Sequence, residues 1–359
     1  MNRYAADYTI LNRGSNPDTS RETDMTKKGI HLYSGGLDSI LSAKLLLDQG
    51  IELIGLHFVL PFFPPDADPD KSLPAKRARD IGLNVRHIRC GADYMAMAKN
   101  PPHGFGSQVN PCIDCKIFFL RHAAEVMREE NAAFVSTGEV IGQRPMSQQK
   151  VTMRHILKEA GLDGYLLRPL CAQRLAPTIA EEQGIVDRSK LLDITGRGRF
   201  RQLELAAKWG ITDYASPAGG CLFTDPHVAP RILDLYGQSS GFGIDDVYML
   251  SFGRHFRLNE RAKFIVPRDE KETIEIVKYR READMLLTPD FPGPSVFVRG
   301  EVSDDAIPFL VSVIVRYGKL GKNGTARVDI SRRGEHIMSV DAQGPADDGT
   351  LDSMRLGPK

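Results

Sequence analysis

The strongest constraint on this chain is the string Tyr33-Ser34-Gly35-Gly36-Leu37-Asp38-Ser39, set where a short apolar strand gives way to a helix. Residues 30–33 read as the end of a buried strand and residues 40–47 as an amphipathic helix. Two adjacent glycines let the backbone take a tight, positive-φ turn that side chains would block. The amides of such a turn, followed by a helix N-terminus, form a concave site for phosphate oxygens. Ser34 and Ser39 add hydroxyl donors, while Asp38 beside a phosphate calls for a Mg2+ ion or a helix-capping role. The Gly-Lys-Ser/Thr ending of a Walker A loop is missing.

Downstream the pattern alternates strand and helix. Residues 51–60 form an apolar run suited to a strand buried on both faces of a parallel sheet. A helix over 75–81, a strand over 84–89, helices over 92–98 and 114–130, and a strand over 133–137 follow. Such βα repeats predict an α/β fold with a doubly wound parallel sheet. Ligands of these sheets bind beyond the carboxyl ends of the strands, where the opening turn lies. The Pro-, Gly- and Asn-rich residues 100–111 are expected to form a mobile loop over that edge. Residues 178–190 and 201–209 read as helices around a basic string, Arg197, Arg199 and Arg201.

A Gly- and Ser-rich stretch over 237–243 marks a linker. Beyond it, strands over 247–252, 262–266, 295–299 and 326–330, with helices over 270–281 and 304–317, predict a small α+β domain. The expected organisation is a flexible leader (1–25, with Met25 an alternative start), a main domain (26–240), the small domain (241–341) and a flexible tail (342–359).

A length of 359 residues accommodates two such domains. A formal net charge of +1 excludes a globally basic nucleic-acid binder but leaves local patches open. No apolar run is long enough to span a bilayer, and the N-terminus lacks an apolar signal core. Five cysteines, an odd number, argue against a disulfide framework. They point to a reducing cytoplasm, where thiols serve metal or redox chemistry.

Cys112 and Cys115 stand two residues apart in Asn110-Pro111-Cys112-Ile113-Asp114-Cys115-Lys116, at a helix start. A helix N-terminus is expected to lower their pKa and favour the thiolate. The pair alone is compatible with zinc, iron–sulfur or thiol–disulfide chemistry. Zinc would ask for a second close pair of Cys or His ligands, which is not present. Cys221, in a Gly-Gly turn, is a third accessible thiol. Three thiolates are one short of the usual cubane set, leaving one iron open. Cys90 and Cys171 read as buried small hydrophobes.

The string Ser-Gly-Gly-Leu-Asp-Ser resembles the PP-loop of the ATP pyrophosphatase superfamily, which splits ATP between its α and β phosphates. Asn-Pro-Cys-x-x-Cys-Lys is similar to the Asn-Pro-x-x-x-Cys segment of bacterial tRNA 2-thiouridylases, and Cys221 matches in order their second active-site cysteine. The resemblance implies an ATP-dependent tRNA sulfurtransferase. ATP would lie on Ser34, Gly35, Gly36, Leu37, Asp38 and Ser39, with Mg2+ at Asp38. His57, Thr137 and Gly138 would line the nucleotide and Arg144 would meet the pyrophosphate. Asp38, Cys115 and Cys221 would carry the chemistry. Many of those enzymes have Asp where this chain has Cys112. That difference favours the related thiolases in which three cysteines, here Cys112, Cys115 and Cys221, hold a [4Fe-4S] cluster. A persulfide on Cys115 and Cys221 stays open. The implied partners are tRNA and a sulfur donor, either sulfide or a persulfide-carrying protein. Rival readings are a PP-loop amide synthetase and a non-catalytic RNA-binding protein.

For RNA, Arg197, Arg199, Arg201 and Lys208 offer phosphate contacts. The run Phe252-Gly253-Arg254-His255-Phe256-Arg257, followed by Arg261 and Lys263, suits base stacking with phosphate contacts. This portion resembles the NFACT-R type of small domain, which implies RNA binding.

Overall fold

The computed structural model describes residues 27–215, 221–238, 241–319 and 326–358, so the expected leader lies outside the described residues. The first part runs β1 (Lys28–Leu32), α1 (Leu37–Leu47), β2 (Glu52–Val59), α2 (Leu73–Asp80), β3 (Asn84–Arg89), α3 (Ala92–Lys99), α4 (Cys112–Glu129), β4 (Phe134–Thr137), α5 (Lys150–Glu159) and β5 (Leu166–Leu167). The five strands are parallel, in the order β3-β2-β1-β4-β5. Alternate strand residues face opposite sides. Ile30, Leu56 and Val135 pack on Ile117 and Leu120 of α4 and Ile156 of α5. Leu53, Phe134 and Leu167 pack on Ile40 and Ala43 of α1 and Ala78 of α2. Both faces are covered, and the doubly wound sheet is as expected. The order reverses between β1 and β4, so a crevice opens at their carboxyl ends. The turn after β1 sits at that switch point.

The chain continues through α6 (Ile179–Glu182), α7 (Phe200–Lys208), α8 (Ala229–Tyr236) and α9 (Ile244–Met249). The long helix expected over 178–190 is reduced to α6 and a 3-10 turn. Gly184 interrupts it in the left-handed region, at φ 69°. Residues 247–252, expected as a strand, are the end of α9 and the turn after it. A short apolar run does not separate the two possibilities. Val247 and Leu250 pack toward Tyr94 and Met95, while Met249 packs toward Ile265 and Phe297. The helix therefore joins both parts of the molecule. Arg231 of α8 strengthens that junction by donating to the carbonyls of Leu250 (2.6 Å) and Gly253 (3.0 Å).

The second part comprises β6 (Arg254–Arg257), β7 (Ala262–Val266), α10 (Glu270–Val277), β8 (Met285–Pro289), β9 (Val296–Gly300), α11 (Ile307–Tyr317), β10 (Arg327–Arg332), β11 (Glu335–Asp341) and α12 (Asp348–Met354). Its antiparallel sheet has the order β11-β10-β8-β9-β7-β6. The flexible tail expected over 342–359 is corrected: α12 is capped by Asp347, whose side chain accepts from the Thr350 amide. Leu351 is buried in the same core as Phe256 and Ile314, with Ala346 beside it. These few apolar side chains, diluted among polar neighbours, anchor a segment whose composition reads as disordered. No helix among the described residues is long and apolar enough to cross a membrane.

Candidate nucleotide and cysteine site

The turn between β1 and α1 is closed by its own serines. Ser39 Oγ donates to the Gly36 carbonyl (2.8 Å) and accepts from the Ser34 amide (3.3 Å). Gly35 has φ 70°, and an added Cβ there would meet Pro74 at 2.8 Å. Gly36 is extended, φ −82°, and serves as the N-cap of α1. Only the first of the two glycines uses its conformational freedom. Leu37 is fully buried against Val140 and Leu170, fixing the first turn of α1.

His31, in the centre of the sheet, braces this turn from below. Its Nε2–H donates to the Ser39 carbonyl (2.9 Å), which leaves Nδ1 to accept from Ser136 Oγ (2.9 Å). Burial pushes its pKa down to about 4, so the ring is neutral near pH 7. The end of β4 comes equally close. An added Cβ on Gly138 would lie 2.6 Å from the Asp38 carbonyl carbon and the Ser39 amide nitrogen. Thr137, buried, pairs with Leu32 across the sheet, and its carbonyl accepts from Ser42 Oγ at 3.4 Å. Thr137 and Gly138 thus adjoin the turn.

Asp38 projects into a polar setting. Its Oδ2 accepts from Gln143 Nε2 (2.7 Å) and Arg199 Nη2 (3.3 Å). Its Oδ1 is buried and has no hydrogen-bond partner. Gln202, fully buried on α7, steadies Gln143 through a 3.3 Å bond. Arg144 is exposed on the loop between β4 and α5. Its neighbour Gln143 and the distant Arg199 are the residues that reach Asp38. The sequence carried no signal for Gln143, and Arg199 stood in a string assigned to RNA. His57 lies one residue beyond the Leu32–Leu56 pair, level with the start of the turn. Its Nδ1 is 2.8 Å from His87 Nδ1 on the adjacent strand. Burial, with the His87 charge adding to it, pushes the His57 pKa down to about 4.

The cysteines gather at the other side of the same sheet edge. Cys112 and Cys115 occupy the first turn of α4, and Cys221 follows the segment 216–220, which is not described. Val109 donates its amide to the Phe223 carbonyl (3.2 Å), drawing the Cys221 segment against the loop before α4. The loop over 100–111, expected to be mobile, is pinned there and by Asp114, which accepts from the His103 amide (3.1 Å). The thiols are close enough to influence one another: negative charge on Cys221 or Cys112 raises the pKa of Cys115, and Cys112 acts likewise on Cys221. Tyr94 Oη lies 3.4 Å from Cys115 Sγ.

The expected lowering of thiol pKa is not found at Cys115. Burial among Tyr94, Phe118, Phe119 and Phe223 pushes it up to about 12, despite the opposing Tyr94 hydroxyl. Desolvation also raises Cys221, although the residue as a whole is exposed. Cys90 and Cys171 are buried, as expected, and Cys90 shares the apolar cluster of Cys115. In this setting a Cys115 thiolate needs a compensating positive charge, and soft thiol donors suit an iron or zinc centre. The three sulfurs do not form a set within 4.8 Å of one another among the described residues.

A buried ion triad connects the two halves. Glu139, one residue after Gly138, meets Lys116 Nζ (2.8 Å) and Arg168 Nε (3.1 Å). Burial favours the neutral acid, but the two cations outweigh it and hold the Glu139 pKa at about 2. Lys116 directly follows Cys115.

In the second part, much of the expected stacking surface is interior. Phe256 is buried and stacked on Phe264 at 4.8 Å, and His255 and Lys263 are also buried. Arg257 pairs with Asp234 of α8. Neighbouring residues of β6 and all five of β7 are buried, because both faces of the sheet are covered here, which composition alone does not reveal. Arg254, whose guanidinium lies 5.1 Å from the Tyr317 ring centre, and Arg261 remain exposed. Near the first sheet, Arg197, Arg201 and Lys208 are exposed around Phe200, which is 72% exposed.

Residues 25–179 match the family model described as thiamine biosynthesis protein (ThiI), and residues 253–351 match that of the NFACT protein RNA binding domain. A probable tRNA sulfurtransferase of Thermococcus kodakarensis is 24% identical over 152 residues, covering 40% of this chain and 36% of the relative. A tRNA-specific 2-thiouridylase MnmA of Idiomarina loihiensis is 29% identical over 202 residues, covering 48% and 53%. The chain therefore spans between about a third and a half of the relatives it matches. A solved 4-thiouridine synthetase–RNA complex with bound ATP is similar at a TM-score of 0.33 and 20% identity, covering 55% of this chain and 45% of that one. The resemblance to PP-loop tRNA thiolation proteins, with an NFACT-type domain following, holds for these stretches.

Proposed function

We propose that the chain is an ATP-dependent tRNA sulfurtransferase that adenylates a uridine carbonyl oxygen and replaces it with sulfur. The observation that carries this reading is the shared edge. The turn over Ser34–Ser39 rests on Gly138, and the next residue, Glu139, meets Lys116, which follows Cys115, so the turn and the cysteine helix are linked through the end of β4. The turn amides and Ser34 would hold the phosphates. The unpartnered Oδ1 of Asp38 fits a Mg2+ ligand, since hard cations take carboxylate oxygens. Attack of the uridine oxygen on the α-phosphorus would release pyrophosphate, whose charge Arg199, beside Asp38, would meet. Sulfide then displaces AMP at the activated carbon.

The donor set of Cys112, Cys115 and Cys221 fits a [4Fe-4S] cluster, which when bound would offer an iron without a protein ligand as a seat for sulfur. Around it, Tyr94, Phe118, Phe119 and Phe223 exclude water, and the Tyr94 hydroxyl is in reach of the Cys115 sulfur. One observation favours the persulfide route instead: Cys221 is exposed while Cys115 is recessed, so Cys221 is the thiol a donor protein can reach. Anaerobic purification followed by iron and sulfide assay separates the two. Roughly four of each per chain, with a visible absorption band, supports the cluster. A colourless, iron-free protein that still thiolates tRNA sinks it and leaves the persulfide. Exposed Arg197, Arg201, Lys208, Arg254 and Arg261 support tRNA as the partner.

A further inference from the structure

Beside the cysteine-bearing turn, His103 of the loop before α4 converges with His155 and Glu159 of α5. His155 Nε2 lies 2.8 Å from His103 Nε2, the rings crossing at 75°. With Glu159, one turn after His155 on α5, their donor atoms all fall within 4.8 Å of one another. We propose that His103, His155 and Glu159 bind a divalent transition-metal ion of the zinc class, oriented by Asp114.

Asp114 is the second observation. It is buried, and its Oδ1 accepts from His103 Nδ1–H at 2.7 Å. That bond fixes the tautomer, so His103 turns the Nε2 lone pair outward to the point where His155 Nε2 waits. A carboxylate behind a histidine is the usual orienting partner of a metal-bound imidazole. Two neutral imidazoles and one carboxylate suit zinc and its neighbours, not Mg2+ or Ca2+, and leave a fourth position for water. Around an ion with Zn–N bonds of about 2.0 Å, tetrahedral ligands sit roughly 3.3 Å apart. The two imidazole nitrogens need to open by about half an ångström. Glu159 is exposed and free to swing inward, exchanging its 3.4 Å contact with Arg121 for the ion.

The bland alternative is a histidine–histidine hydrogen bond beside a surface glutamate. It accounts for the short contact, and Asp114 would then serve to pin the loop through the His103 amide as well as its ring, so zinc binding decides between the two. The site holds the loop before α4 against α5, and Asp114 lies between Cys112 and Cys115. An ion here would therefore clamp the cysteine-bearing turn from outside, whatever reaction that turn performs.

The test is Zn2+ binding to the full chain carrying Cys112→Ser, Cys115→Ser and Cys221→Ser, which removes thiol competition. One Zn2+ per chain is expected. Asp114→Asn added to that background should weaken binding by about 10- to 100-fold, and His155→Ala by more. Equal binding with and without His155, or no binding, overturns the site. Should the triple variant not fold, X-ray absorption of the zinc-loaded unmodified chain decides. Nitrogen or oxygen scatterers near 2.0 Å that vanish in His155→Ala support it. A sulfur-only shell near 2.3 Å overturns it.

Discussion

The Lys116 ammonium meets the Glu139 carboxylate at 2.8 Å, and this buried contact ties the cysteine helix to the strand exit that rests on Asp38. Their contact links the Ser34–Ser39 turn, proposed to bind ATP, to a thiol group more than seventy residues away.

Glu139→Gln leaves buried Arg168 and half-buried Lys116 against a neutral amide. Breaking a buried ion group from one side costs about 3–5 kcal/mol, measurable by urea unfolding at pH 7. The native Glu139 pKa is held near 2, below the ordinary 4.5, so its contribution is present above about pH 4.5. It is lost as pH falls from there toward 2. The wild-type chain should lose stability across that window, and the Gln variant should lose less.

His31 gives a second window of the same sign. The folded ring resists protonation down to about pH 4, whereas an unfolded histidine takes a proton near 6.5. Stability present above pH 6.5 declines toward pH 4. His31→Gln should flatten that decline and, by freeing the Ser39 carbonyl, raise the KM for ATP.

Gly138→Ala tests the closeness of β4 to the turn. The added methyl would sit 2.6 Å from backbone atoms of Asp38 and Ser39, which cannot rotate away. Overpacking of this kind costs about 1–3 kcal/mol. ATP-dependent pyrophosphate release should fall at least tenfold while circular dichroism still reports a folded chain.

At Asp38 the two arginines separate cleanly. Arg199→Ala removes a partner of the carboxylate and should lower kcat/KM for ATP by about tenfold, roughly 1.4 kcal/mol. Arg144→Ala removes an exposed side chain and should cost less. The reverse order in a pyrophosphate assay would return the leaving-group role to Arg144.

How much of this was legible in the sequence follows a physical pattern. β3 falls on residues 84–89 as read, because alternation and flanking turn residues define it locally. The turn over Ser34–Ser39 was legible for the same reason: its glycines and serines act within six residues. Contacts between distant segments were not. Nothing near Arg199 announces Asp38, and nothing near Cys115 announces the aromatic cluster that raises its pKa rather than lowering it. Phe256 and Arg254 look alike as RNA contacts, and they share one face of β6; only the packing of the core over Phe256, with Arg254 at the exposed strand end, separates them.

The remaining basic surface makes a salt-dependent prediction. Each phosphate contact removed should lower the slope of log affinity against log salt by about 0.7 for single-stranded RNA. Arg254→Ala with Arg261→Ala should lower it by about 1.4, whereas substituting Lys263, which is buried away from solvent, should leave the slope unchanged.

The most direct test of the account supplies the purified chain with ATP, Mg2+, sulfide and unmodified tRNA, then measures thiouridine by nucleoside mass spectrometry. Thiouridine that requires ATP, and is abolished in each of Cys112→Ser, Cys115→Ser and Cys221→Ser while ATP still binds, is the predicted result. No thiouridine, together with pyrophosphate release indifferent to all three substitutions, would contradict the account and leave a PP-loop enzyme that transfers something other than sulfur.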